Sequence, residues 1–116
     1  MMSKALQRAI DLIEDPARWT TGAAARDADG TEVDLYDSTA VCRCAWAAMD
    51  KEGVSALMKW HVDDYCRYGF ADGYGVSFIN DGPDGHARIL QAMRAVQGGW
   101  KLGDTPTTMK ITRKQT

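Results

Sequence analysis

The residues best suited to chemistry crowd together near position 80. Asn80, Asp81, Asp84 and His86 follow one another closely. A carboxylate and an imidazole beside a helix start can exchange protons with a bound molecule. Asn80, Asp81 and His86 therefore form a candidate ligand pocket, which requires the Asp81 and His86 side chains to converge. The same residues also suit plain structural work. Gly82-Pro83-Asp84-Gly85 is turn chemistry, and Asp84 is placed to cap a helix.

Other chemistries fare worse on spacing. Cys42, Cys44 and Cys66, with His61 or His86, could supply four soft ligands. Structural zinc sites, however, use ligand pairs two to four residues apart at two places. On a helix Cys42 and Cys44 would point about 200° apart, from the 3.6-residue period. Asp27, Asp29, Glu32 and Asp34 place oxygen ligands at alternate positions, as calcium loops do. Counted from Asp27, however, Gly30 falls at position four, where the calcium loop needs glycine at position six and glutamate at twelve. A solvated hairpin tip is the expectation, with Arg26 pinning the hairpin through a bidentate carboxylate pair. No Ser-His-Asp pattern, phosphate-cradling glycine loop or His-Glu-x-x-His is present. No catalytic residue, metal or cofactor is assigned.

Aromatic residues and charge offer binding instead of catalysis. Trp46, Trp60, Tyr65, Tyr68, Phe70, Tyr74 and Trp100 fill the middle and end of the chain. Tyr68, Phe70 and Tyr74 fall in a glycine-rich stretch where burying all three is difficult, and exposed Tyr and Trp are favoured interface anchors. They are expected partner-binding residues, joined by Asp27, Asp29 and Glu32 of the acidic hairpin. Residues 11–37 carry eight acidic and two basic side chains, whereas residues 86–116 carry six basic and one acidic. Such a dipolar chain can steer toward a charged partner, or its two ends can neutralise each other. The basic segment Lys110 to Lys114 is the natural nucleic-acid contact.

The elements that must hold these residues follow from periodicity. Leu6, Ala9, Ile10 and Ile13 recur at helical spacing over residues 3–14, with Ser3 as cap and Pro16 as stop. Asp29-Gly30 suits a tight turn at the centre of residues 20–36, and Val33 and Leu35 alternate as in a half-buried strand. A second helix is expected over 39–52, capped by Ser38 or Thr39 and ended by Gly53, and a third over 55–67. Residues 68–76 read as a loop, followed by a short extended piece at Val76, Phe78 and Ile79. A helix over 85–97 ends at Gly98-Gly99. These elements make a helix-dominated α+β domain of about four helices with a short β-hairpin. Residues 1–99 are expected to form one globular domain, and residues 100–116 an added strand or a mobile tail.

Composition agrees. The chain has 116 residues, 45% hydrophobic and 26% charged, with a formal net charge of −2. This is one globular domain's worth of chain, too apolar for disorder. No apolar run approaches the ~18 residues a membrane span needs. The opening Met1-Met2-Ser3-Lys4 leads into an amphipathic segment and not a secretory signal. The near-neutral balance argues against binding nucleic acid by bulk charge. Three cysteines, an odd count, suit a reduced, cytoplasmic location.

Several of these segments together resemble a known family. Leu12-Ile13-Glu14 is followed by Trp19-Thr20, Gly22, Ala25-Arg26-Asp27-Ala28-Asp29-Gly30, Ala40-Val41-Cys42-Arg43-Cys44-Ala45 and a late Asn80-Asp81. The set is similar to a family of small bacterial and phage proteins known as a domain of unknown function. The likeness covers residues 5–49 and 77–96. Ile79 stands where that family usually has Trp, and Ala47 where it often has Gly. The resemblance implies a fold and a phage or mobile-element setting, and no activity. The leading expectation is a non-enzymatic binding protein that inhibits a host protein complex such as a defence system. A small enzyme or ligand binder built on Asp81 and His86, and a nucleic-acid binder using the C-terminal basic segment, are the alternatives.

Overall fold

In the computed structural model the described residues are 3–70, 74–101 and 103. The first helix, α1 (Lys4–Ile13), starts where Ser3 Oγ accepts the Leu6 N–H at 3.0 Å. Its Leu6, Ala9, Ile10 and Ile13 are buried together in the core. A single 3₁₀ turn at Pro16–Arg18 then redirects the chain.

Three two-residue strands follow: β1 (Ala25–Arg26), β2 (Glu32–Val33) and β3 (Cys42–Arg43). They form an antiparallel sheet in the order β2-β1-β3. The β1–β2 hairpin turns at Asp29-Gly30 as expected. Gly30 sits at φ 82°, the left-handed position that closes such short loops. Asp27 Oδ1 accepts both the Asp29 and Thr31 N–H groups, so this acid builds the turn.

The second helix differs from expectation. Residues 39–52 do not form one helix; β3 comes first, and α2 (Ala45–Lys51) begins after it. The open edge of β1 explains the change. Val41 N–H donates to Arg26 O and Cys44 N–H to Ala24 O, at 2.9 and 3.0 Å, and only an extended segment can make both bonds. The cap is therefore Cys44, whose sulfur accepts the Ala47 N–H, and not Ser38 or Thr39. Gly53, at φ 72°, ends α2 as expected.

Helix α3 (Ala56–Gly69), capped by Ser55, runs past the expected end and takes in Tyr68 and Gly69. The expected extended piece after it is a helix, α4 (Val76–Asp81). Its first N–H, on Val76, donates to the Asp63 carboxylate of α3 at 2.9 Å, so the cap comes from a neighbouring helix. Helix α5 (Gly85–Gln97) fits expectation in length. Asp84 precedes it at φ 54° and makes no side-chain cap bond, contrary to its expected role.

The five helices enclose one core, with α1 against α2 and α5, α3 against α5, and α4 wedged among α2, α3 and α5. This is the helix-dominated α+β domain expected, with one helix and one strand more. Helices α1 and α5 are tied together. The buried Gln97 accepts the Ser3 N–H and donates to Ser3 O, and Arg94 pairs with Glu14. Trp100 still belongs to the packed body, edge-on to Tyr65 at 5.0 Å. Residues 104–116, including the Lys110–Lys114 segment, lie outside the described residues.

Candidate functional site

Asn80 is a hub, not a pocket residue. It is 1% exposed and uses every hydrogen-bonding position of its amide. Its Oδ1 accepts the Trp19 Nε1–H at 2.8 Å and the Ala45 N–H at 3.0 Å. Its Nδ2 donates to Thr20 O at 3.1 Å and to Asp81 Oδ1 at 2.9 Å. Nothing is left over for a ligand. Asp81 Oδ1 also accepts the Gly22 N–H at 3.2 Å. Trp19-Thr20, Gly22, Ala45 and Asn80-Asp81, far apart in sequence, thus meet at one joint between the hairpin segment, α2 and α4.

Asp81 and His86 do not converge, so the expected acid–base pocket is corrected. His86 lies against the Trp19 ring, with centroids 5.0 Å apart, and its Nε2 bonds Ile13 O at 2.7 Å. That carbonyl ends α1, where helix geometry leaves oxygens without internal partners. Asp81 lines a different hollow, with Gly22, Leu35, Cys44, Trp46, Asp50 and Ser77. One residue serves the joint and the other fastens a helix end.

Arg26 also departs from expectation. It donates to Thr20 Oγ1, Thr21 O and Gly30 O at 3.1–3.2 Å, and among the described residues no carboxylate pairs with it. Its fork joins the hairpin tip to the preceding loop, which is still an anchoring task. Of the acidic hairpin residues, Asp27 is engaged in the turn, while Asp29 and Glu32 are exposed beside it.

The cysteines are quiet. Residues 42–44 are not helical, so the opposed orientation expected of Cys42 and Cys44 does not apply. In an extended segment they share a side of the chain. Burial pushes the Cys44 thiol above its ordinary range, and burial pushes Cys66 further still. Neither is a ready thiolate at neutral pH. Among the described residues, no group of three or more His, Cys, Asp or Glu side chains could hold a metal.

The aromatic candidates divide. Phe70 is 2% exposed, edge-on to Tyr65 at 5.5 Å and under the Arg88 guanidinium at 4.5 Å. It is a core residue, and its expected place on a binding surface is corrected. Tyr68 and Tyr74 are exposed as expected. They have company that the periodicity argument missed. Leu57, Trp60, Asp64 and Tyr68 follow at intervals of three, four and four along α3, on the side opposite buried Val62, Tyr65 and Cys66. Tyr74 stacks on Phe78 of α4 with centroids 4.5 Å apart. Leu57, Trp60, Tyr68, Tyr74 and Phe78 are 51–63% exposed. Between helix and pair, Asp63 accepts from Arg67 Nε at 2.8 Å and holds the start of α4. The missed signal was phase. Once Val62, Tyr65 and Cys66 are assigned to the core, Leu57 and Trp60 must face outward.

Among the described residues, no helix is long and apolar enough to cross a membrane. No protein-family model matches this chain, and comparisons with curated proteins and with solved structures give no match either.

Proposed function

We propose that the chain is a non-enzymatic protein-binding module that engages its partner through the aromatic face of α3 and α4. The observation that carries this reading is the set of five large apolar side chains there, each more than half in solvent. Two other large apolar residues, Tyr36 and Val41, are exposed elsewhere among the described residues, so the concentration on α3 and the Tyr74–Phe78 pair is marked. Large apolar side chains exposed in such numbers are typical of interaction sites. Trp and Tyr are the residues that most often dominate binding energy. Aromatic side chains can each bury ~150–250 Å², so four of them supply roughly 500 Å² after allowing for what is already covered. That is most of the ~800 Å² that each partner contributes to a standard interface.

The resemblance to small bacterial and phage proteins gives the reading its setting. The partner is a host protein complex, such as a defence system, and the chain inhibits it. The test is affinity capture from host lysate at two salt concentrations. The protein is compared with a Trp60→Ala, Tyr68→Ala, Tyr74→Ala variant and with Tyr36→Ala as a control. A protein retained at both salts by the parent and the control, and lost by the triple variant, supports the reading. Identical capture by all three refutes it.

A further inference from the structure

We draw no further inference here: the strongest candidate, the hollow between α3 and the end of α5 whose wall residues His61 and Trp100 each bury a ring nitrogen without a hydrogen-bond partner among the described residues, carries nothing, because both nitrogens are closed off from solvent and nothing in the structure shows what would reach them.

Discussion

Replacing Asn80 by alanine should be among the most damaging single changes to this fold. The amide has four partners: Trp19 Nε1, the Ala45 N–H, Thr20 O and Asp81 Oδ1. Thr20 and Asp81 are near enough to solvent to recover water, but Ala45 is fully buried. Each ordinary hydrogen bond contributes about 1 kcal/mol net, and a buried donor stranded without an acceptor costs about 1–3 kcal/mol. One buried donor, the Ala45 N–H, is stranded, and three further bonds are lost, one of them from the half-buried Trp19 indole, so the loss is about 3–5 kcal/mol. That is a large share of the ~5–15 kcal/mol that stabilises a typical domain. Urea unfolding followed by circular dichroism should show the midpoint falling by about 2 M, taking a slope near 2 kcal/mol/M. The Trp19 indole N–H should also shift in a proton–nitrogen spectrum. Asn80→Asp sharpens the test, because it keeps the acceptor oxygen but turns a second oxygen toward Thr20 O and the Asp81 carboxylate. Those neighbours raise the new carboxyl's folded-state pKa above its unfolded value. Its deficit should therefore grow as pH rises through the unfolded carboxylate range and shrink in acid. A loss below about 1 kcal/mol for Asn80→Ala, with the Trp19 signal unmoved, would refute the hub.

Three further outcomes are expected. Gly85→Ala should cost about 2–3 kcal/mol, because its Cβ would run into the carbonyl oxygens of Asn80 and Ile79 at the α4–α5 corner; thermal unfolding measures this. Arg26→Lys should lose about 1–2 kcal/mol and raise amide exchange at residues 20–31, since one ammonium cannot reproduce a fork that reaches Thr20, Thr21 and Gly30. Cys66 should resist iodoacetamide at neutral pH until the protein unfolds, because burial holds its thiol protonated. The same shift fixes a sign. The unfolded thiol ionises first as pH rises, so the folded state should lose stability in alkali above the ordinary thiol range, and a Cys66→Ala protein should show less of that slope.

What was legible in the sequence was whatever depends on neighbours along the chain. The α1 face of Leu6, Ile10 and Ile13, the Ser3 and Ser55 caps and the Gly30 and Gly53 turns are local physics. The failures occur where a distant partner decides. Residues 41–44 are extended because β1 has an edge to fill, and Val76 starts a helix because Asp63 caps it from another element. The candidate site shows the same division. Asn80 and Asp81 look catalytic in sequence because amide and carboxylate groups serve both chemistry and joints. Only the four partners of Asn80 separate those roles. Phe70 looked exposed beside glycines, yet Arg88 and Tyr65 enclose it, whereas Trp60 and Phe78 turned outward through helix phase.

The central claim is that the aromatic face of α3 and α4 is where a partner binds. Its most direct test is hydrogen exchange measured on the protein alone and in complex with the protein it captures from host lysate. Slower exchange at residues 56–69 and 74–81, with the hairpin tip at residues 27–32 and the outer face of α1 unchanged, is the predicted result. Protection at the hairpin tip or at α1, with α3 and α4 exchanging as before, would contradict the account.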